Sequence, residues 1–404
     1  MAVNDGVLRI SPEFRAGLFH FTVFLSGGVA SVYFAIWLSG KGISANEIGI
    51  INAVPVFLML AVNLFVGRIA DRASDWRQTI IILALVAGIA PFGLFFVDGF
   101  WGILLVWTLM SLPGGSIPPV IDAATIRMTQ RNGTDFGYVR AWGTVGYMAA
   151  TALTGILIAR FGAAAFMPIL VAVALLRAGL ALQLPRFRAP AREATLAEVR
   201  PLAGRLRDAL KPWFVLPLVA FALINATHAI LVAFAALVWK EQGISEDVIG
   251  PLIAVSAAAE ALMMFVWKRF GGRFSARQMI LAAALATVLR WACMALGPPV
   301  EVLFLLQMLH AVTYALGYFG MVHFIANWTS EEIAAEAQGF SFVLQQAMSV
   351  LGLLLFGGLV AAFGEKAFLF AAAFGVLAAG CVLASLRMHR GHAPGLHLEE
   401  RGTI

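Results

Sequence analysis

"GISANEIGIINAV", residues 42–54, recurs as "GISEDVIGPLIAV", residues 243–255. The shared pattern is Gly-Ile-Ser, three variable positions, then Ile-Gly, displaced by 201 positions in a chain of 404. Downstream, Arg68 and Arg72 correspond at the same displacement to Arg269 and Arg273. Each copy lies between the first and second apolar block of its half. A match at half the chain length, at the same structural place, points to duplication. Two parallel repeats of membrane helices, with a site between them, are a recurrent transporter plan.

The composition supports a membrane setting. The chain is 61% hydrophobic and only 12% charged; an average soluble domain has about twice that charged share. The apolar residues come in continuous blocks of roughly 20, the length that crosses a bilayer as a helix. Continuity, rather than alternation, excludes a barrel. Twelve blocks are predicted, near 14–38, 47–70, 79–97, 100–127, 138–160, 163–184, 213–238, 248–268, 278–297, 300–327, 338–361 and 367–388. The expected fold is an all-α membrane protein of twelve transmembrane helices in two pseudo-symmetric six-helix bundles. The N-terminal bundle covers 1–184, a central cytoplasmic loop 185–212, the C-terminal bundle 213–388 and a tail 389–404. The first block reads as a retained span, because no cleavable signal pattern precedes it.

Orientation follows from Lys and Arg. With the N-terminus inside, the cytoplasmic segments carry twenty-one of them and the external ones four: Lys41, Arg160, Lys240 and Lys366. That asymmetry predicts both termini in the cytoplasm. The net charge of +6 is therefore a topological signal, and no nucleic-acid partner is expected. Cys293 and Cys381 sit in apolar blocks, as packing residues.

The first cytoplasmic hairpin reads "GRIADRASDWRQ", residues 67–78. Gly67 permits close helix approach, and Asp71 can bond a helix N-terminus or a basic partner. With Arg72 and Arg77 these residues form a candidate conformational latch. The segment resembles the Gly-x-x-x-Asp-Arg signature of the major facilitator superfamily. Gly272 stands where the second half would need the acid, so the latch is expected on one side only.

Ionisable groups inside spans cost roughly 2.5–3.5 kcal/mol each at a helix centre, so they mark pathways or pairs. Asp122, Arg140, Arg177, Glu260 and Arg290 qualify. His228, His310 and His323 can also carry protons near neutral pH. Around them the resemblance sharpens. "DFGYVRAWGTVGY" (135–147) resembles the start of span five in lactose permease and the 3-phenylpropionate transporters. In that branch an acid 18 residues earlier, here Asp122, pairs with the arginine, here Arg140. An aromatic seven residues later, here Tyr147, stacks on the ligand. "AEALMMF" places Glu260 where the permease has a substrate-binding glutamate. "VLRWAC" and "QMLHAVTYA" place Arg290 and His310 twenty residues apart, as there. "NATHAILVAF" resembles a span-seven element that singles out His228. Gln307 and Thr313 depart from the pattern. Thr313 occupies the position of the permease's proton-carrying glutamate, so that role must pass to Glu260, Asp122, His310 or another ion.

The resemblance implies a proton-coupled symporter in the inner membrane, working as a monomer on a small organic solute. An aromatic carboxylic acid is the first choice, a sugar or nucleoside the next. Asp122, Arg140, Tyr147, Glu260 and His228 would bind substrate; Asp122, Glu260, Arg290 and His310 would couple the proton. Each has a plainer reading. Asp122 and Arg140 could snorkel at helix ends, Glu260 and Arg290 could be a structural pair, and the histidines could be packing residues. A proton-antiport exporter and a non-transporting receptor are the alternative functions. No P-loop, metal-spaced Cys/His cluster or nucleophile motif is present, so neither a cofactor nor a metal nor an enzyme is expected.

Overall fold

The computed structural model describes residues 11–187, 210–270, 273–329 and 331–390. Among them every regular element is helical. Seven helices precede the central polar stretch: α1 (Pro12–Val23), α2 (Leu25–Gly40), α3 (Ala45–Arg72), α4 (Trp76–Ile89), α5 (Phe100–Asn132), α6 (Phe136–Phe161) and α7 (Phe166–Ala181). Seven follow it: α8 (Pro212–Glu241), α9 (Glu246–Phe270), α10 (Ala276–Met294), α11 (Val300–Met308), α12 (Gly317–Trp328), α13 (Glu331–Phe363) and α14 (Phe368–Arg390). A π-helical turn, Ala311–Leu316, separates α11 from α12. Most of the central loop and most of the C-terminal tail lie outside the described residues.

Each of the twelve apolar blocks falls on helix. Ten helical stretches among the described residues are long and apolar enough to cross a membrane. The ten stretches differ from the twelve apolar blocks at two places. Ala337–Met388 is a single run of 52 residues holding most of α13 and all but the end of α14, joined by a short turn at Gly364–Ala367. At 1.5 Å per residue that run is about 78 Å long, more than twice a hydrocarbon core of about 30 Å. And α10 carries Arg277, Gln278 and Arg290, which lower its hydropathy. Large apolar side chains such as Phe57, Phe65, Ile82 and Trp101 lie outward, as a lipid environment permits.

The sequence repeat is a repeated turn. Gly42 and Gly243 take φ of 78° and 84°, the left-handed region that ends a helix. The N–H of each bonds back three residues, to Ser39 O at 2.9 Å and Lys240 O at 3.0 Å. The next N–H reaches back five, from Ile43 to Leu38 O and from Ile244 to Trp239 O, at 3.1 and 2.9 Å. The serine after it starts the following helix through its carbonyl, which accepts from Ile48 in one copy and Ile249 in the other.

By contacts the chain divides into two compact units: Met1–Val29, Ala61–Ala150 and Met167–Ala194; and Ala30–Leu60, Thr151–Phe166 and Thr195–Ile404. In the first unit, α5 packs against α1 and α4 around Phe19, Ile80, Ile117 and Ile121. Gly146 of α6 lies so close to Phe21 O of α1 that a Cβ would collide with it. In the second unit, α8 packs on α13 and α14, and α10 on α12 and α14, around Phe221, Ile224, Ile280 and Phe324. Here the last glycine of each repeat has its reason. A Cβ on Gly49 would lie 2.6 Å from Leu353 O, and one on Gly250 would strike Thr151 O. Gly357 meets Ala45 O, and Gly155 meets Glu246 O, in the same way. Small residues let helix backbones touch where lipid supplies no hydrophobic drive.

Candidate functional site

Two clusters of ionisable side chains form inside the helices, one in each unit. The first joins α1, α5 and α6. Asp122 lies past the middle of α5, and Arg140 is in the second turn of α6. The Arg140 Nε stands 3.3 Å from Asp122 Oδ1, both side chains about one-third exposed. The residues that the resemblance paired do meet. Oδ1 makes an ion pair but no hydrogen bond among the described residues. The Arg140 guanidinium also covers the Phe24 ring at 4.7 Å. Gly143, one turn on, leaves it room: a Cβ there would be 2.9 Å from Nη1. Tyr147 lies seven residues after Arg140, so helical periodicity puts it on the same face, partly buried.

Sequence reasoning missed His20. It is fully buried on α1, with Nε2 3.1 Å from Thr125 Oγ1 and Nδ1 3.9 Å from Asp122 Oδ1. A histidine within an apolar block was the available signal. Arg177, on α7, is 3% exposed and lies against Gly114, apart from this cluster.

The second cluster is a connected network. Arg290 of α10, fully buried, donates from Nη2 to Gln307 Oε1 at 2.6 Å. Its Nη1 reaches Thr313 Oγ1 at 3.3 Å and His310 Nδ1 at 3.4 Å. Beyond them, His310 Nε2 stands 3.2 Å from Glu260 Oε2. His228 of α8 places Nε2 3.0 Å from Thr313 Oγ1 and Nδ1 3.0 Å from Ile224 O. Thr313 and Tyr314 belong to the π turn, a widened turn common at functional sites. Tyr314 stacks on His310 with ring centroids 5.5 Å apart.

Donor logic orders the protons. Arginine only donates, so His310 Nδ1 accepts and its proton sits on Nε2, facing Glu260. A carbonyl only accepts, so His228 Nδ1 donates to Ile224 and Nε2 accepts from the Thr313 hydroxyl. Thr313 accepts from Arg290 in turn. Every hydrogen points away from Arg290, along three branches, of which the one through Gln307 ends on the Met294 sulfur at 3.9 Å. The branch through His310 ends on a carboxylate, and the one through Thr313 and His228 on a backbone carbonyl. Gln307 and Thr313, which the sequence showed only as departures from a family pattern, are the guanidinium's partners.

Of the residues singled out for the hairpin, Arg77 is described in full. The side chains of Gly67, Asp71 and Arg72 lie outside the described residues. Arg77 Nη2 donates to Leu182 O at 2.7 Å. Asp75, unremarked in the sequence, caps α4 by accepting from Arg77 N at 2.9 Å. Its other oxygen accepts from Phe187 N at 3.0 Å. Among the described residues no group of three or more His, Cys, Asp or Glu is placed to hold a metal ion.

Comparison with known proteins gives these clusters a context. The model of the MFS_1 like family matches residues 15–372. A probable 3-phenylpropionic acid transporter of Escherichia coli (strain K12) is 27% identical over 325 residues, covering 78% of this chain and 82% of its own. A maltose permease of Geobacillus stearothermophilus is 25% identical over 345 residues, with 84% and 86% covered. Among solved structures, the nucleoside transporter NupG superposes with a TM-score of 0.79 at 17% identity. The match covers 94% of this chain and 100% of that one. At that identity the likeness speaks for the fold. These relatives and neighbours are transporters, not enzymes.

Proposed function

The chain belongs to the MFS_1 like family, and on that premise we propose that it is a secondary active transporter moving a small organic solute by alternating access, driven by proton symport. We read it as a monomer of twelve spans in two six-helix bundles, in the inner membrane, with both termini in the cytoplasm. The ten apolar helical stretches and the double length of Ala337–Met388 support that reading. Gly67, Asp71, Arg72 and Arg77 serve as the conformational latch.

The observation that carries the proposal is the exchangeable charge pair of α5 and α6. Asp122 neutralises Arg140 at 3.3 Å, and both groups remain about one-third exposed. A solute carboxylate or hydroxyl can therefore take the arginine, bidentate in the first case. The displaced Asp122 then favours its neutral form, because an opposite charge has left it. Tyr147 supplies a stacking face. In the second unit Glu260 is the proton carrier, with His310 as donor and Arg290 holding both in order; His228 flanks the solute.

Two solute classes have support. An aromatic carboxylic acid suits Arg140 and agrees with the 3-phenylpropionic acid relative. A sugar or nucleoside is favoured by a cavity beside His228 lined with uncharged amides. The test is uptake and binding by purified protein, alone and in proteoliposomes. Arg140→Ala should fold, as judged by its melting curve, and lose solute binding at least tenfold. Wild-type uptake by that variant would sink the proposal. No flux of any solute class, with neutral substitutions at Glu260 and Arg290 tolerated, would favour a non-transporting role. Proton-driven extrusion from oriented vesicles would favour the antiport reading.

A further inference from the structure

Arg177 is the intramembrane cation that the transport reading leaves without a task. It lies on α7, 3% exposed, and its Nε and Nη2 are buried with no hydrogen-bond partner among the described residues. No carboxylate among those residues pairs with it. A cation at such a place is costly, and buried ones pair with acids or with backbone carbonyls. Three helices enclose this one. α4 and α7 touch through Gly88, where a Cβ would lie 2.7 Å from Ala178 Cβ and 3.0 Å from Ala174 O. The guanidinium ends against α5, where a Cβ on Gly114 would lie 3.5 Å from Nη1 and 3.8 Å from Nη2.

α5 is short of donors at that same point. It stays helical through Pro113, Pro118 and Pro119. A proline has no N–H for the carbonyl four residues back. Pro118 and Pro119 therefore deny the carbonyls of Gly114 and Gly115 their helical bond. The hydroxyl of Ser116 does not serve them, because its one proton is shared between Asn63 Oδ1 at 2.8 Å and Leu112 O at 2.9 Å. In a transmembrane helix, carbonyls freed by proline are met by neighbouring helices and their side chains. Unused arginine donors and donor-poor carbonyls thus meet at one residue, Gly114. Prolines are also where a helix bends, and Asp122 lies one turn beyond Pro118.

We infer that Arg177 is a positioning residue of the transport cycle: a bend of α5 at Pro118 and Pro119 brings the carbonyls of Gly114 and Gly115 onto its guanidinium, and the same bend moves Asp122 relative to Arg140. In the form seen here Asp122 stands 3.3 Å from Arg140, and Arg177 rests against Gly114 with two nitrogens unpartnered. In the bent form Arg177 is served and Arg140 is released to the solute. Arg177 touches neither solute nor proton; it acts through Asp122. The inference rests on the transporter reading and adds to it an element that favours the second form of the cycle.

The experiment uses the purified full chain as wild type, Arg177→Met and Arg177→Lys, in detergent and in proteoliposomes. Methionine keeps an unbranched stem and removes every donor; lysine keeps a donor. Arg177→Met should raise the melting temperature by about 2 °C, because it takes an unpartnered buried cation out of the form seen here. Uptake of 3-phenylpropionate, maltose or uridine under a pH gradient should lose about tenfold in maximal rate, the value of a bond from a charged donor, with KM held within about twofold. Arg177→Lys should regain at least half of that rate. A more stable protein that works more slowly is the expected pattern, whereas removing a merely structural arginine lowers the melting temperature. Four results overturn the inference: a lower melting temperature or failure of Arg177→Met to fold, an unchanged maximal rate, a loss expressed in KM instead, or a lysine variant as slow as the methionine one. A wild type that moves none of the three probes counts against the transporter reading alone; the sign of the melting shift then still supports or overturns the role of Arg177.

Discussion

The two buried arginine centres solve one problem in opposite ways. Arg140 is neutralised by a full charge, Asp122, at 3.3 Å, and keeps about one-third of its side chain exposed. Arg290 is wholly buried and has no carboxylate in direct contact among the described residues; it is held by an amide, a hydroxyl and an imidazole. Glu260 is one histidine away from it. A single charge partner on a partly exposed arginine can be exchanged for a ligand. A cation held by several committed dipoles cannot, since each dipole left behind would be buried without a partner. The first centre is built to swap partners, the second to hold neighbours in order.

Arg290→Met attacks the contrast most strongly. It removes three bonds and leaves Gln307 Oε1, His310 Nδ1 and Thr313 Oγ1 short of a donor. Orphaned buried groups cost about 1–3 kcal/mol each, so a loss of about 3–5 kcal/mol after partial relaxation is expected. Thermal unfolding in detergent measures it. Arg140→Ala, by contrast, should lose binding with little loss of stability. Equal destabilisation by the two variants would erase the distinction between the centres.

Glu260→Gln comes next. The glutamine carbonyl still accepts from His310 Nε2, so the network survives without an ionisable end. Counterflow should persist within about threefold, while accumulation driven by a pH gradient falls at least tenfold, following the general cost of losing a proton carrier. Retained accumulation would move the carrier's role to Asp122. Thr313→Val is milder. It cuts the link from Arg290 to His228 at one hydroxyl, worth about 1–1.5 kcal/mol, or up to about tenfold in transport. Thr313→Ser should restore it, which a purely steric role for the methyl group would not allow.

How far this was readable in the sequence varies by interaction. The helices were legible because a bilayer demands continuous apolar runs, and the twelve blocks at 14–38 through 367–388 all fall on helix. The repeat was legible because Gly42 and Gly243 share a conformation that only glycine adopts cheaply. Asp122 and Arg140 were legible as an opposite-charge pair at a recognisable spacing. Thr313 was not. A hydroxyl has no charge to announce a partner, and its place between Arg290 and His228 depends on three helices converging. Asp75 was hidden for another reason. Asp71, four residues earlier, fits the family signature and drew the reading; Asp75 accepts from Phe187 N, in the chain beyond α7.

His20 gives the smallest expected effect and the sharpest reading of the exchangeable centre. Its Nδ1 and Asp122 Oδ1 stand 3.9 Å apart, and neither has a hydrogen-bond partner among the described residues. The gap is too wide for a hydrogen bond and too short to hold a water between them. While Arg140 stays on Asp122, His20 therefore contributes little. When a ligand takes Arg140, His20 becomes the nearest group able to meet the carboxylate, and closing by about 1 Å would form the bond. His20→Leu, which keeps the packing volume, should cost about 1 kcal/mol of stability through the lost bond to Thr125 Oγ1 and raise KM about fivefold, the value of one ordinary hydrogen bond. A variant that loses stability but keeps its KM would make His20 a packing residue. Asp122 would then stand alone once its arginine is engaged, and exchange at that centre would have to be carried by protonation of the acid itself.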